Sequence, residues 1–238
     1  MADRCLLYYI TDRTQFPGDA KIRRRSLLAK VTDAVNAGVD YIQLREKDLS
    51  GRELETLARD ALAIVRDNSA HISANPELRT RKDLSNAEPS SAEPATRLLI
   101  NSRTDVALAT GADGVHLRSD DMSPSDVRAI WNSCGAGARV PGPVIAVSCH
   151  RVEETFRAAS DQAGIAVFAP VFEKNMTPGV GLAALHRACE AKIPVLALGG
   201  VTLENAASCL QAGAAGVAAI RLFQENKIED VVRALRAL

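Results

Sequence analysis

Short apolar runs alternate along the chain with longer amphipathic stretches. The runs are rich in β-branched and aromatic residues and are bounded by small residues or glycine, which is typical of strands buried on both faces of a parallel sheet. The stretches between them, such as residues 51–67, repeat apolar positions with helical spacing. The runs that predict strands are residues 5–11, 41–46, 97–102, 114–118, 143–149, 165–172, 194–200 and 216–223.

This order of strands and helices predicts an α/β protein. Eight strand–helix units within 238 residues match the usual size of a (β/α)8 TIM barrel. A doubly wound sheet has fewer units and a glycine-rich turn after its first strand, whereas the first run here ends in Thr11-Asp12-Arg13. We therefore predict one barrel domain over residues 1–238.

One polar segment interrupts the alternation. Residues 68–96 contain Pro76, Pro89 and Pro94 among many Ser, Ala and Glu residues. The segment is predicted to be a flexible insertion between the second helix and the third strand, on the barrel face opposite the carboxyl ends of the strands. A partner-binding role for it is the alternative.

Overall composition restricts the class of partner. Basic and acidic residues number 29 each, which argues against a nucleic acid or a membrane surface as partner, although a local basic patch could still bind phosphate. The sequence has no long apolar span and no secretory leader, which predicts a cytoplasmic protein. The five cysteines include no C-x-x-C pair, so neither zinc nor a disulfide framework is indicated. A homo-oligomer remains open.

Polar and charged residues follow the strands at the barrel end where active sites lie. Strand alternation puts Gln43 and Arg45 on one side, and Lys47 continues that side at the mouth. Two cations and an amide converging on one place suit a phosphate or diphosphate group. The alternative is an ion pair inside the barrel, between Arg45 and Glu46 or Asp12.

The fourth and fifth strands carry further candidate groups. Adjacent Asp120 and Asp121 could bind magnesium, a hard cation that prefers oxygen ligands, or they could lie at a helix start capped by Ser123. His150 follows the fifth strand and could act as an acid or base near neutral pH, or be structural.

A second phosphate-binding feature is predicted after the last two strands. Gly199 and Gly200 precede a helix, so their backbone N–H groups could bind an anion. Arg221 adds a cation nearby, where barrels often bind phosphate.

Several motifs together resemble the thiamine-phosphate synthase/TenI family. The resemblance covers almost the whole chain in order and omits only residues 68–96. Its motifs are L-Y-Y-I-T-D-R, Y-I-Q-L-R-E-K-D-L-S, N-S-R-T-D-V-A-L-A-T-G-A-D-G-V-H-L, A-V-S-C-H, V-L-A-L-G-G-V-T-L-E-N-A and A-G-A-A-G-V-A-A-I.

The resemblance implies a role in thiamine biosynthesis through one of two reactions. The synthase couples a hydroxymethylpyrimidine diphosphate to a thiazole phosphate and releases pyrophosphate. It uses magnesium and a dissociative mechanism, in which a pyrimidine carbocation is captured by the thiazole nitrogen. TenI-type members instead isomerise a carboxythiazole phosphate without metal. A third alternative is a barrel that binds thiazole or thiamine phosphate without turnover.

The resemblance also assigns roles to individual positions. Gln43, Arg45 and Lys47 match the diphosphate-binding strand, and Asn101 matches a pyrimidine-contacting asparagine. Asp121 matches a magnesium ligand, with Asp120 as a neighbouring candidate. The predicted catalytic residues are thus Arg45, Lys47, His150 and Lys174, and the predicted substrate-binding residues are Gln43, Asn101, Arg103, Arg118, Ser148, Glu173, Thr177, Gly199, Gly200, Ile220 and Arg221.

Three departures from the synthase pattern bear on the reaction. Ser102 stands where the synthase has the aspartate of N-D-R, and Arg118-Ser119 replaces Gly-Gln after the fourth strand. The T-x-T-K loop after the sixth strand is absent, and F-E-K-N stands in its place. Glu173 favours the TenI type, whereas Lys174 and Thr177 would form a shortened phosphate loop. We predict the synthase first and the tautomerase second.

Overall fold

The computed structural model describes residues 4–74, 96–134, 142–173 and 178–238 of the chain. Strands and helices alternate along it as the sequence predicts. The strands are β1 Leu6–Ile10, β2 Tyr41–Leu44, β3 Arg97–Asn101, β4 Gly114–Leu117, β5 Val144–Cys149, β6 Ile165–Phe168, β7 Val195–Ala197 and β8 Gly216–Ala219. The helices are α1 Ala20–Asn36, α2 Gly51–Ala74, α3 Thr104–Thr110, α4 Pro124–Ser133, α5 Val152–Ser160, α6 Leu182–Ala188, α7 Ala206–Gln211, α8 Arg221–Gln224 and α9 Ile228–Arg236, with a short 3-10 helix at Arg13–Gln15.

The eight strands form a closed parallel barrel. Each strand pairs with its neighbour in chain order, and β8 closes the ring by pairing with β1, where Gly216 lies opposite Leu6. The predicted (β/α)8 barrel is therefore confirmed. Among the described residues, none of the helices combines the length and apolarity that a membrane crossing needs.

Alternation along the strands divides the core into two layers. Leu7 and Tyr9 of β1 point outward and pack in the large layer between the strands and the helices. Tyr8 and Ile10 point inward, into a smaller cluster inside the barrel. Both layers are apolar, so the strands read as continuous hydrophobic runs in the sequence.

Some element ends differ from the prediction. The run 165–172 leaves the strand after Phe168, and the run 216–223 leaves it after Ala219, so Arg221 begins α8 instead of ending a strand. The second helix continues from residue 67 to Ala74, so the start of the predicted insertion is helical. Residues 75–95 lie outside the described residues, and their flexibility stays a prediction.

The last helix is anchored at the amino ends of β1 and β2. Arg236 pairs with Asp40 at 2.8 Å and donates hydrogen bonds to the carbonyl oxygens of Gly38, at 2.8 Å, and Cys5. The Asp40 carboxylate also accepts from the backbone N–H of Leu7 at 2.7 Å and pairs with Arg4. One carboxylate thus ties both ends of the described chain to the face opposite the strand carboxyl ends.

Candidate active site

The carboxyl ends of the strands surround an open cavity of about 410 Å³. Its lining follows from the inward positions of the barrel cluster, because the next inward residue along each strand reaches the mouth. Leu99 is thus followed by Asn101, and Ala146 by Ser148. The cavity is lined by Ile10, Gln43, Arg45, Lys47, Asn101, His116, Arg118, Ser119, Asp120, Ser148, His150, Ala169, Pro170, Leu198, Gly199 and Ile220.

Three cations, Arg45, Lys47 and Arg118, line this cavity. The pKa of Lys47 lies below its ordinary value, chiefly because of the charge on Arg45, with smaller contributions from burial and from Arg118. The charges of both arginines therefore act on Lys47, and such a concentration of positive charge favours binding of an anion. Among the described residues, Arg45 forms no ion pair with Glu46 or Asp12. The alternative prediction, an ion pair of Arg45 inside the barrel, is therefore not observed there.

A buried carboxylate fixes the end of β2, which is followed by Arg45 and Lys47. Glu46 is 5% exposed, and it accepts hydrogen bonds from the Thr11 hydroxyl at 2.5 Å and from the Arg13 backbone N–H at 2.9 Å. The Thr11 hydroxyl oxygen accepts in turn from the backbone N–H of Arg45 at 3.1 Å. Burial raises the pKa of Glu46. The network holds the ends of β1 and β2 together and so positions Arg45.

A chain of hydrogen bonds orients the two amides of the cavity. The Ser102 hydroxyl donates to Asp121 Oδ2 at 2.7 Å and accepts from Asn101 Nδ2 at 3.2 Å. Asn101 Oδ1 must therefore accept, and Gln43 Nε2 donates to it at 2.7 Å. Gln43 Oε1 is left as a buried acceptor without a hydrogen-bond partner among the described residues. A buried acceptor without a partner is uncommon in proteins, and this one belongs to a side chain that lines the cavity.

A second hydrogen-bond chain, which was not predicted from the sequence, crosses the barrel interior. His116 is 3% exposed; its Nδ1 lies 2.7 Å from the Tyr8 hydroxyl, and its Nε2 lies 2.8 Å from Ser148 Oγ. Burial, assisted by the charge of Arg45, lowers the pKa of His116 to about 3, so the ring is neutral. The one signal in the sequence is position, because His116 occupies the strand register next to Asn101.

A neutral ring allows either direction of this chain, and the Tyr8 hydroxyl selects one. The hydroxyl is fully buried, and His116 Nδ1 is the acceptor that it contacts among the described residues, so it donates to Nδ1. The ring then carries its hydrogen on Nε2 and donates to Ser148 Oγ. The hydroxyl hydrogen of Ser148 is consequently directed away from the histidine, where it can be donated to a ligand in the cavity.

His150 lines the same cavity, and a hydrogen bond holds one nitrogen of its ring. Its Nδ1 lies 2.8 Å from the carbonyl oxygen of Ala169, which only accepts, so Nδ1 carries a hydrogen. Its backbone N–H donates to Glu154 Oε2 at 2.6 Å. In the neutral ring Nε2 is then an acceptor with no partner among the described residues, which is the state required of a general base.

A second cavity of about 350 Å³ adjoins the first and shares Leu198, Gly199 and Ile220 with it. Gly200 and Arg221 line the second cavity and not the first. Gly199 has φ of 94°, and a Cβ there would lie 2.6 Å from the Cα atom of Pro170, so only glycine fits. The remaining lining residues are Val201, Thr202, Leu203, Glu204, Ala218, Ala219, Leu222, Glu225 and Asn226.

Some predicted site residues are not brought to either cavity. Arg103 donates from Nε and Nη2 to Asp105 at 2.8 and 2.6 Å and lines neither cavity. Glu173 is exposed and also lines neither. Lys174 and Thr177 lie outside the described residues.

The predicted metal acids are engaged by a cation of the chain itself. Arg118 Nη2 lies 3.1 Å from Asp120 Oδ2, and Arg118 Nε lies 3.4 Å from Asp121 Oδ1. The backbone N–H of Arg118 also donates to Asp121 Oδ2 at 2.7 Å. Ser123 caps α4, as predicted by the alternative in which the two acids lie at a helix start. Its hydroxyl accepts a hydrogen bond from the Asp126 backbone N–H at 3.2 Å.

The acid pair as arranged does not fit magnesium. Within the described ranges, no three Asp, Glu, His or Cys side chains converge on a point. That alone is not decisive, because magnesium is often held by one or two carboxylates and substrate phosphates. The guanidinium of Arg118 argues against magnesium in this arrangement, because a divalent cation between Asp120 and Asp121 would be placed against a like charge.

Known proteins resemble the chain over almost its whole length. A family model described as thiamine monophosphate synthase matches residues 7–85 and 73–223. A chain from Geobacter sulfurreducens is 37% identical over 98% of this chain and 93% of its own length. The thiamine-phosphate synthase of Methanoculleus marisnigri is 33% identical over 97% of this chain and 93% of its own. The solved structure of a thiamine phosphate pyrophosphorylase from Pyrococcus furiosus superposes with a TM-score of 0.72, at 25% identity over 99% of this chain and 96% of that one.

Proposed function

The chain belongs to the thiamine monophosphate synthase family, and we propose that it is a thiamine-phosphate synthase that acts at the two adjoining cavities. The reaction couples a hydroxymethylpyrimidine diphosphate to a thiazole phosphate, with release of pyrophosphate. The observation that carries the proposal is the combination of Arg45, Lys47 and Arg118 with the amides of Gln43 and Asn101 in one cavity. A ligand with a diphosphate at one end and a polar ring at the other suits both.

The first cavity suits the pyrimidine diphosphate. Its diphosphate lies against Arg45, Lys47 and Arg118, and the hydroxyl hydrogen of Ser148 supplies a neutral donor. The amides of Gln43 and Asn101 line the same cavity and suit the polar edge of the aminopyrimidine ring. Recognition of the ring then rests on these polar side chains.

The second cavity suits the thiazole phosphate. Gly199 and Gly200 let a ligand approach the backbone closely, and Arg221 supplies a cation at the same cavity. The shared lining at Leu198, Gly199 and Ile220 makes the two cavities contiguous. The thiazole nitrogen can therefore be presented to the pyrimidine carbon without leaving the site.

The chemistry proceeds by heterolysis followed by capture. The bond between the pyrimidine methylene carbon and the diphosphate oxygen breaks, and its electron pair leaves with pyrophosphate. The thiazole nitrogen then donates its lone pair to the carbocation and forms the new carbon–nitrogen bond. Arg45 and Lys47 stabilise the negative charge that grows on the leaving group, and this electrostatic stabilisation is the main contribution of the protein.

A tautomerase remains a second candidate because of one contact. His150 lines the first cavity and its Nδ1 is held by the Ala169 carbonyl, so Nε2 is the nitrogen that could act as a base for moving a proton on a thiazole ring. Isomerisation of a carboxythiazole phosphate without metal, abolished in His150→Ala, is the result that would support it. Turnover in either assay eliminates a barrel that only binds its ligand.

A paired-substrate assay tests the proposed function. Purified protein is mixed with both phosphorylated substrates, with and without magnesium, and released pyrophosphate is measured. We expect release that requires both substrates and falls at least about 100-fold in Arg45→Gln, because one charged donor to the leaving group is lost. Arg151→Gln is the matched control, since Arg151 is 80% exposed and lines neither cavity. No release above background, with the Methanoculleus enzyme active alongside, contradicts the proposal.

A further inference from the structure

The guanidinium of Arg118 lies at the mouth of the first cavity between the two predicted metal acids. It contacts Asp120 Oδ2 at 3.1 Å and Asp121 Oδ1 at 3.4 Å, while Arg118 itself lines the cavity. A guanidinium has five N–H donors in a planar fork. The two acids contact Nη2 and Nε, whereas Nη1 contacts no acceptor among the described residues, so the edge that carries Nη1 is suited to paired oxygens of a phosphate.

Ser102 provides Asp121 with a hydrogen-bond donor from the chain itself. Its hydroxyl donates to Asp121 Oδ2 at 2.7 Å, and the Arg118 backbone N–H donates to the same oxygen at 2.7 Å. A carboxylate in place of this hydroxyl would put two negative groups within hydrogen-bond distance of each other, which is favourable only with a cation between them. With serine, the charge and hydrogen-bonding needs of Asp121 are met by groups of the chain itself.

We propose that the Arg118 guanidinium takes the place of a divalent cation in this protein and binds the diphosphate of the pyrimidine substrate together with Arg45 and Lys47. The inference rests on the proposed function. The bond cleavage stays balanced without metal, since the electron pair leaves with pyrophosphate and the N–H groups of Arg118 stabilise the oxygens that receive it. Asp120 and Asp121 then act as positioning residues that orient the guanidinium.

The electrostatics of the mouth support this placement. Arg118, Arg45 and Lys47 line the same cavity, and the charge of Arg118 contributes to lowering the pKa of Lys47, after Arg45 and burial. Asp120 is 71% exposed and Arg118 is 56% exposed, so neither is committed to the protein core. Replacing Arg118 should therefore change binding without unfolding the barrel.

The experiment measures the metal dependence of pyrophosphate release in excess EDTA and in excess magnesium. The wild-type protein should keep more than about one tenth of its activity in EDTA. Arg118→Gln should lose at least about tenfold in EDTA, Arg118→Lys should be intermediate because it keeps the charge without the fork, and Arg151→Gln should match the wild type. Thermal melting of each variant controls for folding. A wild-type loss of more than about tenfold in EDTA that magnesium restores overturns the proposal.

A reversal variant and a binding measurement complete the test. Ser102→Asp combined with Arg118→Gly puts a third acid beside Asp121 and removes the guanidinium, so its activity should rise at least about tenfold on adding magnesium. Calorimetric titration with inorganic pyrophosphate in EDTA should show binding that Arg118→Gln weakens at least about tenfold. If turnover is absent under every condition, the proposed function fails, and this titration still decides the role of Arg118. Equal binding by wild type and Arg118→Gln overturns it.

Discussion

Acid should destabilise this protein through His116. The folded state holds the ring neutral, because burial lowers its pKa from 6.5 to about 3. Between these values the unfolded chain binds a proton that the folded chain does not, so the free energy of unfolding falls as the pH falls. The loss is about 1.4 kcal/mol per pH unit, which gives about 2 kcal/mol on lowering the pH from about 6.5 to about 5.

Urea unfolding of the wild type and of His116→Gln, each at about pH 7 and about pH 5, isolates this contribution. Glutamine does not titrate, and it can still accept from Tyr8 and donate to Ser148. Glu46 acts in the opposite direction, because its pKa is raised and its contribution to stability is lost as the pH rises. Since Glu46 is present in both proteins, it cancels in the comparison.

The expected result is a steeper loss of stability in the wild type, by about 2 kcal/mol between the two pH values. A change in the overall stability of His116→Gln does not affect the test, since only the pH dependence of the two proteins is compared. Equal pH dependence in the two proteins would refute the reasoning, because it would mean that folded His116 takes up a proton as readily as the unfolded chain.

Two further substitutions test the packing and the hydrogen bonds around the cavities. Tyr8→Phe removes the donor to the buried histidine and should lower the free energy of unfolding by about 1–3 kcal/mol, with slower pyrophosphate release because Ser148 can then donate to the ring instead of the ligand. Unchanged stability and kcat/KM would remove this role from Tyr8. Gly199→Ala should cost about 2 kcal/mol or more, because its Cβ would lie 2.6 Å from the Cα atom of Pro170. Gly38→Ala, with φ of 79° and nothing within 4 Å of its Cβ, should cost only about 1 kcal/mol, and equal losses in urea titrations would show that the contact with Pro170 is unimportant.

The barrel was predictable because its strands are apolar on both faces. Such runs stand out in the sequence wherever helices and the interior cluster bury both sides. Their ends were less predictable, since an apolar run does not show where strand pairing stops. Phe172 and Phe223 continue their runs, yet β6 ends at Phe168 and β8 ends at Ala219.

Site residues were predictable where strand alternation alone decides their direction. Gln43 lies on β2 and Arg45 directly follows the strand, two positions further along the chain, so alternation turns both into one cavity. The bond between Tyr8 and His116 joins positions 108 residues apart, and no local pattern indicates it. The orientation of Arg103 toward Asp105 is likewise a rotamer choice, which the spacing of strands and helices does not determine.

The contacts of Asp40 bear on where another domain can be joined to this barrel. Arg4 and Arg236 bind this one carboxylate, so the first and last parts of the described chain meet on the face turned away from both cavities. A tag, a surface tether or a fused domain added at the C-terminus would leave the mouth open to diffusing substrates. A short linker between the two ends would likewise span little distance, which favours this barrel as a scaffold for circular permutation.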